Sequence, residues 1–316
     1  METTPVIIDT APGCDDALAL MLALASPELD VQLITSTAGN VPIGLTTHNA
    51  RLIEDFLGTK VPIAKGFSAM SVTEDGYDDY HHGATGLGAF QCDIDVTDDG
   101  LLLPETAVQA QVDLLMQAQK KVTIVALGPL TNLAVLLRDY GNEVRPHISR
   151  LIIMGGAFGR GNIAPYTEFN IGCDPKAAAT VFSSGLPITL LPLEAANMAL
   201  LTLDDLNELS QLNRVGKAAS ELMSSPKGQA PEATKPLFDP STIAYLIHPE
   251  FFKTDSYHVE VECEGTYTQG ATVIYQGEKR EPQMDKPPIN VAYSVDVGKF
   301  KAWIRETLAR WSTLGA

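Results

Sequence analysis

The feature that most constrains the fold is a repeated alternation of short apolar runs with longer stretches of helical periodicity. Val6 to Ile8 is a β-branched run, and a loop then leads into the apolar stretch Asp15 to Ala25. The same order recurs three times, with strands at Val31 to Thr37, Val122 to Ala126 and Leu151 to Met154 and helices around Thr46 to Leu57, Leu130 to Leu137 and Pro175 to Phe182. Ile188 to Leu193 is predicted as one more strand.

This alternation predicts an α/β fold with an open, mostly parallel central sheet and helices on both faces. In such sheets the ligand crevice lies beyond the carboxyl ends of the strands. The alternating segment Tyr257 to Tyr275 predicts a small β-hairpin, and Val297 to Trp311 predicts the last helix, among other peripheral helices. No linker or repeat divides the chain, so we expect residues 1–316 to form a single domain.

Charge and composition exclude several classes of protein. The chain has 316 residues, with 22 Lys and Arg against 39 Asp and Glu, so a basic groove for nucleic acid is not expected. A hydrophobic content of 45% favours a folded core over disorder. The sequence has no leader-like segment, no apolar stretch long enough for a membrane and no CxxC pair among its four cysteines. We therefore expect a cytoplasmic protein with no membrane or nucleic-acid partner.

Acidic residues gather where the first strand ends. Asp9, Asp15 and Asp16 fall within eight residues, around the turn formed by Pro12 and Gly13. Helix capping explains one or two acids at a helix start. Three carboxylates at an apolar strand-to-helix junction repel one another unless a cation lies among them, so the spacing favours a metal site.

Other predicted strand ends bring polar groups to the same edge. Asn40 follows the second strand, and the Gly-rich segment after Met154 carries Asn162, Glu168 and Asn170. Amides and a carboxylate on such a loop suit a polyhydroxylated ligand, although each alone is typical of a turn. Asp239 precedes Pro240 at a predicted helix start, where an N-cap role is an equal alternative.

These segments together resemble a known family. DTAPGCDDALA, STAGN, HGATGL, LGPLTN, MGGAFGRGN, EFN and FDP follow in this order between positions 9 and 241, and they are similar to the motifs of the inosine-uridine preferring nucleoside hydrolases. The resemblance covers the whole chain. It implies an α/β fold, Ca²⁺ at the strand ends and hydrolysis of the N-glycosidic bond of ribonucleosides to ribose and free base.

The resemblance also implies roles for individual residues. The implied calcium ligands are Asp16, Asp239 and the backbone carbonyl of Leu127. The implied ribose contacts are Asp15, Asn40 and Asn170, with Asn162 and Glu168 at the 5′-hydroxyl and Met154 along the sugar. Asp9 is implied as a supporting acid, and His82 as a group near the mouth that contacts or protonates the leaving base.

Two positions depart from the family pattern. The family's motif is DxDPGxDD, and its second acid, which ligates calcium and accepts a proton from water, is Ala11 in this chain. A methyl group accepts no proton. Phe238 stands where many members carry a histidine, and a phenyl ring can stack on a base but cannot protonate it.

We interpret Ala11 as the mark of a catalytically impaired, substrate-trapping form, with natural loss of activity as the alternative. A non-catalytic nucleoside- or ribose-binding protein is the second hypothesis. A Mg²⁺-dependent phosphotransferase fits less well, because no GxxxxGK[ST] segment is present. Tyr77, Tyr80 and Phe238 could stack on a purine or a pyrimidine, and the resemblance implies a homodimer or homotetramer.

Overall fold

The computed structural model describes residues 3–68, 79–94, 96, 101–225, 232–275 and 286–314. The strands are β1 (Thr4–Thr10), β2 (Leu29–Ser36), β3 (Ile63–Lys65), β4 (Leu102–Thr106), β5 (Val122–Ala126), β6 (Ile148–Met154), β7 (Ile188–Leu191), β8 (Leu200–Thr202), β9 (Thr234–Pro236), β10 (Phe252–Tyr257), β11 (Val259–Val261), β12 (Thr272–Ile274) and β13 (Ile289–Val295). The helices are α1 (Cys14–Leu24), α2 (Ile43–Leu57), α3 (Asp79–His82), α4 (Ala107–Gln117), α5 (Thr131–Asp139), α6 (Gly141–Val144), α7 (Phe169–Cys173), α8 (Pro175–Phe182), α9 (Leu193–Ala196), α10 (Leu203–Ser210), α11 (Arg214–Leu222), α12 (Pro240–Ile247), α13 (Val297–Ala309) and α14 (Trp311–Leu314).

The central sheet has nine strands in the order β10-β13-β7-β6-β5-β1-β2-β3-β4. All neighbours pair in parallel except β10 and β13. Strands β2, β3 and β4 are added in chain order on one side of β1, and β5 then pairs with the other side of β1. The strand order therefore reverses between β1 and β5, and a crevice at their carboxyl ends is the expected ligand site.

Helices cover both faces of this sheet, and alternate residues of β1 divide between them. Val6 and Ile8 belong to one buried cluster with residues of α1, α2, α11, α12 and α13. Ile7 belongs to a second cluster with residues of α4, α5 and α8. This period-two division explains why the strand reads as a continuous apolar run. The predicted α/β fold is confirmed.

Several predicted boundaries shift, and some strands were not predicted. The strand predicted over Ile188 to Leu193 ends at Leu191, because Leu193 already begins α9. β13 inserts beside β7, although its segment lies about a hundred residues further along the chain. The predicted hairpin forms from β11 and β12, while β8 and β9 form a second antiparallel pair that was not predicted.

The helix predicted over Val297 to Trp311 forms as α13, which ends at Ala309, and a further short helix, α14, begins at Trp311. No disulfide joins the four cysteines, which all lie in the described part of the chain. None of the helices in the described ranges is both long and apolar enough to cross a bilayer. The single-domain organisation stays a prediction.

Candidate active site

A cavity of about 450 Å³ lies at the carboxyl ends of β1, β2, β5 and β6, where the strand order reverses. It is lined by ten of the residues that the sequence singled out: Asp15, Asn40, His82, Leu127, Met154, Asn162, Glu168, Asn170, Phe238 and Asp239. Three more, Asp9, Ala11 and Asp16, are buried next to this wall. The fold thus gathers residues separated by more than two hundred positions.

Asp16 is the structural centre of the first loop. Its Oδ1 atom accepts hydrogen bonds from the Thr10 hydroxyl and the Ala11 N–H, at 2.6 and 3.0 Å. Its Oδ2 atom accepts from the Gly13 N–H at 3.1 Å and from the Asn40 amide at 2.8 Å. Asn40 also donates to the Ala11 carbonyl at 3.0 Å. The loop after β1 is therefore fixed to the end of β2.

Gly13 is required by close approach. A Cβ atom there would lie 2.5 Å from the Asn40 amide nitrogen and 2.6 Å from Nδ1 of His82. The absence of a side chain lets His82 reach the start of α1, where its Nδ1 accepts a hydrogen bond from the Cys14 N–H at 3.1 Å. His82 is thereby held against the loop that carries the acids.

Three buried carboxylates converge at one side of the cavity. Single ligand oxygens of Asp15, Asp16 and Asp239 all lie within 4.8 Å of one another. Burial and the charges of Asp15 and Asp16 raise the pKa of Asp239 well above its usual value. Burial, followed by the charge of Asp15, also raises the pKa of Asp16. A cation would relieve this repulsion, and an all-oxygen donor set suits a hard divalent ion.

The carbonyl of Leu127 lies at the end of β5 and accepts a hydrogen bond from the Asn170 amide at 2.8 Å. The same amide contacts Met154, at 3.3 Å from its carbonyl and 3.4 Å from its sulfur. A carbonyl oxygen has two lone pairs, so this bond leaves one for a further ligand. Asn170 therefore joins the ends of β5 and β6.

Glu168 caps the N-terminus of α7 and also binds the backbone of the Gly-rich loop. Its carboxylate accepts from the N–H groups of Asn170, Ile171 and Gly156 at 2.8, 3.1 and 2.9 Å. Burial raises its pKa, although these three donors oppose the shift. Asn162 accepts from the Phe169 N–H at 2.9 Å. Both predicted loop residues thus stand at the start of one short helix.

Asp9 is buried behind the cavity and makes structural contacts. Its Oδ1 atom accepts hydrogen bonds from Thr35, from Asn132 at 2.8 Å and from Gln111 at 3.5 Å. Within the described residues its Oδ2 atom has no hydrogen-bond partner. Burial raises the pKa of Asp9 to about 6. These contacts join β1 to β2, α4 and α5.

Ala11 is 1% exposed and lies between two glycine-containing loops. A Cβ atom on Gly128 would lie 2.8 Å from the Ala11 methyl carbon, and one on Gly39 would lie 3.0 Å away. The methyl group therefore packs against bare backbone on two sides.

The cavity also has lining residues to which the sequence assigned no individual role. These are Cys14, His81, Ile163, Phe169, Leu222, Met223, Glu232, Lys235 and Pro236. Cys14 and Phe169 lie within the motifs DTAPGCDDALA and EFN, and most of the others come from the segments around α11 and β9. Two residues considered for base stacking, Tyr77 and the side chain of Tyr80, lie outside the described residues.

Comparison with known proteins identifies the chain. The family model for inosine-uridine preferring nucleoside hydrolases matches residues 6–302. The chain belongs to this nucleoside hydrolase family. It is 40% identical over 309 residues to the non-specific ribonucleoside hydrolase RihC of Escherichia fergusonii, covering 98% of this chain and 99% of that protein. RihC of Escherichia coli K12 is also 40% identical, over 306 residues, covering 96% and 98% of the two chains.

Solved nucleoside hydrolases share the fold as well. A plant nucleoside hydrolase superposes with a TM-score of 0.89 at 30% identity, covering 98% of this chain and 99% of its own. A purine-preferring ribonucleoside hydrolase from Gardnerella vaginalis gives 0.83 at 30% identity, with the same coverage. The family predicted from the motifs is confirmed, and membership in it disfavours the phosphotransferase alternative.

Proposed function

We propose that this nucleoside hydrolase homologue binds a ribonucleoside in the cavity, with the ribose against the carboxylate cluster. The reaction of the site is calcium-dependent hydrolysis of the N-glycosidic bond to ribose and free base. One observation carries the proposal: three buried carboxylates, Asp15, Asp16 and Asp239, meet at the strand ends beside the position that Ala11 occupies. The family match supports the substrate class.

The cation would be held by Asp16, Asp239 and the carbonyl of Leu127. The carboxylates of Asp16 and Asp239 are buried and repel one another, and with a backbone carbonyl they suit Ca²⁺, which takes carboxylate and carbonyl ligands. When bound, the cation supplies positive charge that orients ribose hydroxyls and lowers the pKa of water.

Different residues of the chain bind different parts of the nucleoside. Asp15, Asn40 and Asn170 are the proposed partners of the ribose hydroxyls, and Asn162 and Glu168 those of the 5′-hydroxyl. Met154 packs against the sugar, while Phe238 offers a ring to the base. Cleavage of an N-ribosyl bond passes through a sugar with oxocarbenium character. The surrounding carboxylates stabilise that developing positive charge.

Ala11 is the reason to propose an impaired enzyme. Its methyl group can neither accept a proton from water nor ligate the cation, and loss of a general base costs about 10²–10⁴-fold in rate. The binding residues remain, so the chain would retain an intact nucleoside and release little base. This is the behaviour of a substrate trap.

The substitution Ala11→Asp tests the proposal, because it restores a carboxylate at the position where the family motif has its second acid. With calcium present, we expect A11D to release free base from inosine or uridine at least about 100 times faster than the unaltered chain. Ala11→Asn is the matched control, since an amide has similar size and cannot accept the proton. Failure of A11D to release base would contradict the hydrolase assignment.

A non-catalytic nucleoside- or ribose-binding protein is the second candidate, favoured by the presence of Ala11 itself. Calorimetry with inosine, combined with base-release assays on both forms, separates the two. Binding without turnover in the unaltered chain and in A11D indicates a binding protein without catalytic activity.

We also propose that the protein is cytoplasmic and forms a homodimer or homotetramer.

A further inference from the structure

Glu194 binds the backbone of the Gly-rich loop, residues 155–162, from outside the cavity. It lies on α9, just after β7, and it does not belong to the cavity lining. Its Oε1 atom accepts hydrogen bonds from two successive backbone N–H groups, those of Phe158 and Gly159, at 2.9 and 2.8 Å. Two successive N–H groups that point at one oxygen form a concave anion-binding site, and the carboxylate of Glu194 is the anion here.

The Gly-rich loop has little conformational preference of its own. Four of the seven residues from 155 to 161 are glycine, and Gly156 has a φ of +85°. Glycine loses more conformational freedom on folding than any other residue. Such a segment keeps one conformation only if contacts from other elements hold it.

Side chains of three different elements supply those contacts. The N–H groups of the two residues before Phe158 donate to Glu168, at the start of α7, and to Thr272 of β12, each at 2.9 Å. Glu194 accepts from the next two N–H groups along the chain. Among the described residues, it is the last side chain to bind the loop backbone before Asn162, which lines the cavity.

The second carboxylate oxygen of Glu194 is buried, and within the described residues it has no hydrogen-bond partner. A buried oxygen without a partner costs stability, so stability alone does not favour a charge at this position. A charged acceptor makes hydrogen bonds that are roughly twice as strong as those of a neutral one. The charge of Glu194 therefore holds the loop more firmly than an amide would.

We propose that Glu194 is a positioning residue for the nucleoside. By holding Phe158 and Gly159, it keeps Asn162 in place to bind the 5′-hydroxyl, and it acts through the loop without touching the ligand. This inference rests on the proposed function, in which Asn162 and Glu168 bind that hydroxyl. It adds a residue outside the cavity on which this contact depends.

Calorimetric titration in calcium with inosine and 5′-deoxyinosine tests the proposal. Ala11 provides no general base, so the nucleosides stay intact during the measurement. 5′-Deoxyinosine lacks only the hydroxyl that Asn162 is proposed to bind. We expect Glu194→Ala to weaken inosine binding about tenfold and to leave the affinity for 5′-deoxyinosine nearly unchanged, so that the preference for inosine is lost.

Two further variants sharpen the test. Glu194→Gln keeps the size of the side chain and replaces the charged acceptor with a neutral one. Because neutral hydrogen bonds are about half as strong, we expect inosine binding to weaken roughly threefold, again without a change for 5′-deoxyinosine. This variant decides the outcome if Glu194→Ala does not fold. Glu143→Gln, which changes an exposed acid of α6, is the matched control and should bind both nucleosides as the unaltered chain does.

The proposal is overturned if the folded Glu194 variants bind inosine as tightly as the unaltered chain, or if both nucleosides weaken by the same factor, which is the effect of a merely structural role. It is also overturned if the unaltered chain binds inosine and 5′-deoxyinosine equally, because the loop then positions no contact to the hydroxyl. Failure of the proposed function gives a different result, in which the unaltered chain binds neither nucleoside in calcium.

Discussion

The Nδ1 atom of His82 accepts a hydrogen bond from the backbone N–H of Cys14 at 3.1 Å. A ring nitrogen that accepts cannot carry a proton, so in the neutral ring the proton lies on Nε2. This contact joins the end of α3 to the start of α1, 68 residues earlier in the chain. His82 lines the cavity, and Nε2 is therefore its hydrogen-bond donor.

We expect that, in the Ala11→Asp background, His82→Ala lowers kcat/KM for inosine by about 10²-fold, the lower end for a lost proton donor. His82→Asn is the informative comparison. Its side-chain oxygen can accept from Cys14, while its amide cannot protonate a leaving base. Near-normal inosine affinity with low kcat in H82N supports proton donation, whereas recovery of kcat in H82N would leave His82 a purely structural role.

Calcium should stabilise the fold through Asp239. Charges of Asp15 and Asp16 oppose ionisation of this buried carboxyl, and a cation among them removes that opposition. We expect calcium at about 100 times its Kd to stabilise the protein by about 2.7 kcal/mol, seen as a higher Tm. Asp239→Asn should lose most of this increase, and Asp204→Asn, which changes an exposed acid of α10, should keep it. An equal increase in all three proteins would show that calcium binds elsewhere.

The stability of the calcium-free protein should depend on pH through Asp9. Burial raises its pKa from 3.8 to about 6, so the folded state binds this proton more tightly than the unfolded chain. The contribution of Asp9 is therefore most favourable below about pH 4 and is lost as the pH rises through about 6.

Asp9→Asn removes the ionisation, and its side-chain oxygen can still accept from Thr35 and Asn132. Relative to the unaltered chain, the free energy of unfolding of D9N should rise by up to about 3 kcal/mol between pH 4 and pH 7. Urea unfolding across this range measures the difference. A difference that stays constant with pH would assign the titration to other groups.

The hairpin of β11 and β12 should support ligand binding through Thr272. Its hydroxyl donates to the Ala157 carbonyl at 2.7 Å and accepts from the Ala157 N–H at 2.9 Å. Thr272→Val leaves both buried backbone groups unpaired and should cost about 1–3 kcal/mol of stability. Inosine affinity should fall too, because Ala157 lies on the loop that carries Asn162. Thr180→Val, at an exposed site on α8, serves as the control. If both variants change stability and inosine affinity equally, the hydrogen bonds between Thr272 and Ala157 have no specific role in ligand binding.

The parts of the fold that could be predicted are those with local causes. A strand buried on both faces must be apolar throughout, and a covering helix must place apolar residues on one side, so both are visible within a short window. β13 could not be placed this way. Its pairing with β7 depends on a partner about a hundred residues earlier, and register between distant strands leaves no local signal.

The candidate site shows the same difference between local and long-range causes. The acids at the end of β1 and the methyl group at Ala11 were visible in the sequence, because they belong to one short loop with a recognisable motif. The folded chain alone shows that Asn132 and Gln111 hold Asp9, that Cys14 holds His82 and that Lys235 lines the cavity. Each of these contacts joins residues far apart in the chain, and the energy of a hydrogen bond or ion pair depends on distances that only the folded chain sets.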